Sequence, residues 1–226
     1  MTATKYFGRA RRLLGGNSRK SWYIGATVCC LMIAAGDVFI IARHTRQTPV
    51  ATSGLGSQSA LSSVKPTQAT IDNYHVPPAS PKYIVIPAIG VNARVYGLPT
   101  DTHNQLQAPG NIYDAGWYNA SSLPGQPGAM FVDGHVSSWT AHGIFYDLRR
   151  LAPGDVIKIV RGDGRTFTYA VQKTQVYDAA HVDMTQTLRP INSGKPGLNL
   201  MTCAGPLIRG TSEFSQRLVV YASLQS

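Results

Sequence analysis

From Lys82 to Ser226 the sequence breaks into short runs of β-branched and aromatic residues, separated by Gly, Pro and Asp/Asn turn signals. Such runs read as strands over Tyr83–Ile86, Val91–Val95, Ala129–Val132, Val156–Val160, Thr166–Val171, Leu198–Thr202 and Arg217–Leu224. The Asp163-Gly164 dipeptide inside Arg161–Arg165 predicts a hairpin between two of them. A single segment has helical spacing: Ile144, Phe145, Leu148 and Leu151 recur every three or four residues until Pro153-Gly154 ends the pattern. Because no long helices alternate with the strands, a doubly wound α/β sheet is disfavoured. The expectation is a mainly all-β domain, a closed or nearly closed β-barrel with a minor helix.

Residues 22–42, from Trp22 to Ala42, are mostly apolar and close to the roughly 20 needed to cross a bilayer as a helix. The formal net charge of +10 is concentrated around this run, with eight Lys/Arg and one Asp in residues 1–46, leaving +3 for the remainder. A nucleic-acid reader would spread its basic residues over the folded surface, so that class is set aside. Six basic residues precede the apolar run and only Arg43 and Arg46 lie close behind it, which predicts a cytoplasmic N-terminus and an external C-terminal part, a single-pass type II arrangement at the cell membrane. The run is longer than the apolar core of a secretory signal peptide, which favours a retained anchor. Asp37 inside it costs about 2.5 to 3.5 kcal/mol near the bilayer centre and less toward an interface. Cys29 and Cys30 read as packing residues of the anchor.

Between 43 and 80 the sequence is rich in Ser, Thr, Ala, Gly, Gln and Pro with few large apolar residues, a composition that reads as a flexible external tether. The expected order is therefore a basic tail (1–21), a transmembrane anchor (22–42), a linker (43–80) and a catalytic-type domain (81–226).

Cys203 is the only cysteine outside the anchor, so it has no disulfide partner within the external region. A lone thiol in an oxidising setting points to nucleophilic catalysis. It closes Leu198-Asn-Leu-Met-Thr-Cys203, where alternation puts Leu198, Leu200 and Thr202 on one face and Asn199, Met201 and Cys203 on the other. Ala204-Gly205-Pro206 is expected to turn the chain there. His135 follows the apolar run ending in Phe131-Val-Asp-Gly, and Arg217 opens the last strand. Thiol, imidazole and guanidinium together suit acyl transfer: a thiolate attacks a carbonyl, an imidazolium protonates the departing amine, and a guanidinium neutralises the oxyanion. Ordinary cysteine has a pKa near 8.5, so a neighbouring His or Arg is expected to assist it. His103, His142 and His181 lack metal-ligand spacing, and Asp178, Asp183 and Glu213 are dispersed, so neither a metal nor another cofactor is expected.

These residues resemble the sortases, cysteine transpeptidases of Gram-positive-type cell surfaces. The resemblance rests on Thr202-Cys203 ending an apolar strand, Gly134-His135 after another, Arg217 opening the last, Ile84-Val-Ile-Pro-Ala-Ile-Gly-Val91, and Gly143-Ile-Phe-Tyr-Asp-Leu148 followed by Gly154-Asp155. It covers residues 82–226, and the Thr-Cys-Ala-Gly segment is most similar to classes F and E. It implies an eight-stranded sortase-type β-barrel with one or two short helices, preceded by the transmembrane helix. It also implies Cys203 as nucleophile, His135 as general acid/base, Arg217 steadying substrate or oxyanion, and Thr202 as a substrate-binding neighbour. The partners implied are secreted proteins with a C-terminal sorting signal of the Leu-Pro-x-Thr-Gly type and an amine acceptor on a peptidoglycan precursor or a pilin. Asp133, two positions before His135, departs from the pattern, and Arg209 is a second arginine near Cys203. Arg217 is preferred because Arg209 falls in the following turn. A non-catalytic surface-binding barrel is the alternative. Other Cys/His cell-wall transpeptidases place both residues in one short stretch, unlike His135 and Cys203 here.

Overall fold

The structure, a computed structural model, describes residues 61–101 and 106–225. The expected tail (1–21) and anchor (22–42) lie outside them, as does the first part of the expected linker (43–60); among the described residues no helix is long and apolar enough to cross a membrane. A short helix α1 (Gln68–Asp72) is followed by eight strands: β1 (Pro81–Ile86), β2 (Val91–Leu98), β3 (Ala115–Tyr118), β4 (Ala129–Gly134), β5 (Val156–Arg161), β6 (Thr166–Asp178), β7 (Gly197–Leu207) and β8 (Phe214–Leu224). Helix α2 (Met184–Thr187) lies in the connection between β6 and β7. The strands close into a barrel in the order β1-β2-β3-β4-β7-β8-β6-β5, with β2/β3 and β4/β7 parallel and the other pairs antiparallel. Closure removes the unpaired edges that an open sheet of this size would expose.

Strand alternation sorts the side chains. Ile84, Ile86, Val95, Met130, Val132, Ile157, Ile159, Leu198, Leu200 and Val220 point inward and are fully buried with Tyr169. Asp163-Gly164 makes the expected β5/β6 hairpin, pairing Val160 with Thr166, and Gly164 takes the left-handed conformation (φ +85°) that the turn requires.

Four sequence expectations change. Strand β3 was not expected, because Ala115-Gly-Trp-Tyr118 is short and holds a glycine; it is a strand because β2 and β4 bond it on both edges. The segment 144–151 is a series of turns ending in a 3-10 turn at Leu148–Arg150, not an α-helix. Its N–H groups bond three residues back instead of four, Tyr146 to Gly143 O, Leu148 to Phe145 O and Leu151 to Leu148 O, so the turns stay 3-10 in kind. The buried faces of Phe145, Leu148 and Leu151 explain the helical spacing. At Ala204–Leu207, β7 continues through an irregularity with Gly205 at φ +74°, and the reversal comes later, where Ile208 N bonds Glu213 O.

The fourth change concerns the tether. From Leu61 onward the chain lies on the barrel: Ser62 bridges Asn111, Tyr74 Oη donates to Val95 O (2.6 Å) and Tyr83 Oη donates to Ile71 O (2.6 Å). Two tyrosines with carbonyl partners hold a segment whose composition alone could not order it. Beneath it Arg94 and Asp114, both buried, form a two-pronged ion pair at 2.9 and 2.8 Å, and the guanidinium lies against the adjoining rings of Tyr74 and Tyr96, 5.7 and 5.3 Å from their centroids. Such planar pairing and stacking are what arginine offers over lysine.

Candidate active site

Cys203 and Arg217 are direct cross-strand partners on β7 and β8. Opposed residues have Cβ atoms roughly 4.5 to 5.5 Å apart, so the thiol and the guanidinium stem are adjacent on the same outer face. On the other side of β7, β4 runs parallel with Asp133 opposite Met201; two residues on, His135 leaves β4 at the level where Cys203 stands on β7. Thr202, buried at 2 % exposure, donates its hydroxyl to Gly134 O at 2.7 Å and ties β7 to the end of β4. Its side chain lies on the Leu198/Leu200 face. Arg209 is exposed in the β7/β8 loop.

His135 is held from two directions. Its Nε2–H donates to Pro109 O at 2.7 Å, and since a carbonyl only accepts, the neutral ring carries its proton on Nε2 and leaves Nδ1 as the basic atom. Its own carbonyl accepts from Phe145 N at 3.0 Å. Gly143 passes so close that a Cβ there would lie 2.3 Å from His135 O, which accounts for the glycine at that position.

Burial pushes the Cys203 thiol above its ordinary value; Arg217 pulls it back, while Asp133 and Glu213 push it further up. At neutral pH the thiol is therefore protonated at rest, and its proton must be handed to a base before attack. Among the described residues Arg217 bonds no other side chain: its Nη1 donates to Phe214 O (2.9 Å) and Gln216 O (3.0 Å), both carbonyls at the start of β8. Desolvation raises the Asp133 carboxyl to about 7, opposed by a hydrogen bond from Gly134 N–H and by the charge of Arg217. The sequence marked Asp133 only as unusual, because desolvation is a property of its surroundings.

A groove of about 590 Å³ opens beside this group, lined by Tyr118, Met201, Arg217, Met184, Leu188 and neighbours from the β2/β3 and β6/β7 connections. One wall is fixed from below by Asn199, whose Nδ2 donates to Thr187 O (2.7 Å) and Arg189 O (2.8 Å). Val182, Met184, Leu188 and Met201 give the groove an apolar side and Arg217, the cross-strand partner of Cys203, gives it a cation, which suits an extended peptide. Among the described residues no group of three or more His, Cys, Asp or Glu side chains could hold a metal ion.

The Sortase domain family matches residues 84–225. Among solved structures the chain is similar to the lid mutant of Sortase A from Corynebacterium diphtheriae, with 24 % identity, 70 % of this chain and 76 % of that chain covered, and a TM-score of 0.51. Sortase A from the same organism gives 23 %, 71 %, 70 % and 0.50. Sortase C-1 from Actinomyces oris gives 26 %, 70 %, 80 % and 0.49. No curated protein matches the chain.

Proposed function

The chain belongs to the sortase family of cysteine transpeptidases, and we propose that it is a membrane-anchored member that cuts a sorting signal of the Leu-Pro-x-Thr-Gly type and joins the carried protein to an amine. The observation that supports this reading best is the direct pairing of Cys203 with Arg217, with His135 ending the adjacent strand.

In this reading Cys203 gives its proton to His135 Nδ1 and its sulfur attacks the carbonyl carbon of the signal's Thr. The oxyanion forms beside Arg217, whose contribution as a fixed positive donor is worth on the order of 3 kcal/mol. The C–N bond then breaks, the leaving amine takes the proton from His135, and a thioacyl enzyme remains. An incoming amine attacks that thioester, passes a proton to His135, and expels the thiolate, which is reprotonated. Arg217 swings away from two backbone carbonyls to do this, a small loss set against charge neutralisation. The apolar run at 22–42 anchors the enzyme as a type II protein, and the acceptor is an amine of a peptidoglycan precursor or a pilin.

The test uses the full chain in detergent micelles with Leu-Pro-x-Thr-Gly peptides and a glycine amine, followed by mass spectrometry. Cleavage after Thr with transfer to the amine, lost in Cys203→Ala, is the expected result. No product from the wild type, together with a Cys203 that resists alkylation at pH 9, favours the non-catalytic surface-binding barrel instead.

A further inference from the structure

Three large apolar side chains stand in solvent beside the end of β4: Trp139 is 86 % exposed, Val64 75 % and Leu61 41 %. They come from two segments that touch. Trp139 lies in the loop that follows His135, and the hydroxyls of its neighbours Ser138 and Thr140 reach the Ser63 hydroxyl at 3.5 and 3.4 Å. Val64 is the next residue after Ser63, and its carbonyl accepts from Asn111 Nδ2 at 2.9 Å. On the other side Ser62 is bonded through its N–H to Gly110 O and through its carbonyl to Ile112 N.

The loop holds its tryptophan outward. Ser138 N bonds Ala141 O at 2.8 Å, Ser138 Oγ accepts from Thr140 N and Ala141 N at 3.2 and 3.1 Å, and Ser137 bridges His142. A hydrogen-bonded turn with a tryptophan at its tip, next to two exposed aliphatic residues, is a surface prepared for an apolar contact.

We propose that Trp139, Val64 and Leu61 dock the barrel on the phospholipid interface of the membrane that anchors it, a proposal that rests on the anchored reading above.

The tether, the charge and the size of the patch all favour this occupant. Residues 43–60 are all that separates Leu61 from the apolar run ending at Ala42, a reach of at most about 60 Å at full extension. The segment carrying two of the three apolar residues is thus the part of the barrel joined most directly to the anchor. Residues 61–71 and 134–146 contain no Asp or Glu, and exposed Lys65 follows Val64, so nothing in either segment repels an anionic lipid surface. Tryptophan with a nearby lysine is the pairing that suits a headgroup boundary. Three side chains expose a few hundred Å² at most, short of the roughly 800 Å² that each partner contributes to a stable protein interface. A bilayer needs no matching surface, and the tether keeps it within reach. His135 is four residues before Trp139, so docking would bring the leaving-group side of the site to the bilayer surface, where lipid-held substrates reach it.

The experiment uses the full chain in phosphatidylcholine–phosphatidylglycerol vesicles, with and without bromine on the acyl chains. Wild type, Trp139→Ser and Val64→Ser are compared. The difference in fluorescence between wild type and Trp139→Ser isolates Trp139 from Trp22 and from buried Trp117. The expected result is that this difference is quenched by brominated lipid and shielded from aqueous acrylamide. Turnover of an acylated Leu-Pro-x-Thr-Gly peptide in the same vesicles should fall about tenfold in Trp139→Ser and less in Val64→Ser, the scale of one lost aromatic anchor. Turnover of the soluble peptide should hold, which also reports that the variants fold. A chain that floats with the vesicles while Trp139 stays open to acrylamide and unquenched by lipid overturns the docking and leaves the anchor intact. A Trp139 shielded from acrylamide yet unquenched by brominated lipid is covered by protein, a second copy or another partner, and also overturns it. A chain that does not float with vesicles overturns the anchored reading and the docking together. The quenching decides the assignment even for a chain that cleaves no peptide.

Discussion

Two arginine–aspartate neighbourhoods on this barrel are built in opposite ways. At β2, Arg94 and Asp114 are closed on each other by two short hydrogen bonds and buried, with the guanidinium against the rings of Tyr74 and Tyr96. Where β4 ends beside β7 and β8, Arg217 and Asp133 feel each other's charge, yet Arg217 bonds two backbone carbonyls and Asp133 is desolvated until it titrates at about 7. The first pair has no capacity left for a ligand. The second leaves Arg217 on the groove, next to a thiol. Complete pairing serves the fold, and incomplete pairing leaves charge that a substrate can use.

Four measurements break or sharpen this contrast. Asp114→Ala strands a buried guanidinium and should cost about 3 to 5 kcal/mol in chemical denaturation; a loss below about 1 kcal/mol would mean the β2 pair is not the closed structural unit described. Arg217→Ala should reduce kcat by about 100-fold, near 3 kcal/mol, with a denaturation midpoint close to wild type. A large stability loss there would make the two arginines alike.

Asp133→Asn should act in the reverse sense and depend on pH. The carboxyl's folded value of about 7 stands above its ordinary 3.8, so the folded state holds more protons between those limits. The stability that this proton uptake contributes is complete below 3.8 and is lost as pH rises through 7. Replacing the acid should therefore raise stability by about 2 kcal/mol at pH 8, allowing for its partial exposure, and change little at pH 4. The same variant should speed Cys203 alkylation at pH 8, because a like charge is gone. Tyr74→Phe, which removes the hydroxyl bond to Val95 O, should cost about 1 kcal/mol and leave peptide turnover unaltered; altered turnover would show that the segment over Arg94 is coupled to the thiol.

Much of the fold could be read along the chain. Seven strands, the Asp163-Gly164 hairpin and the two faces of β7 follow from alternation and turn chemistry. For the site, Cys203, His135 and Arg217 stood out as one thiol, one histidine and one arginine, each at an expected strand end, although β7 runs on past Cys203 and β8 starts before Arg217. β3 escaped notice because four residues with a glycine carry no periodicity of their own. The 144–151 segment misled because a buried edge repeating every three or four residues appears in 3-10 turns as readily as in a helix.

What the order of amino acids determined by itself is local: which runs extend, where the hairpin turns, and which side chains share a strand face. Those depend on the backbone and its nearest neighbours in sequence. The tertiary structure decided the rest. The parallel pairing of β4 with β7 carries His135 and Cys203, far apart in the chain, to the same level. The ordering of the segment from Leu61 and the walls of the groove from the β6/β7 connection likewise need closure of the whole barrel. The character of Asp133 is decided there too, because desolvation sums over every atom packed around a carboxyl, and those atoms come from strands that only the closed barrel brings together.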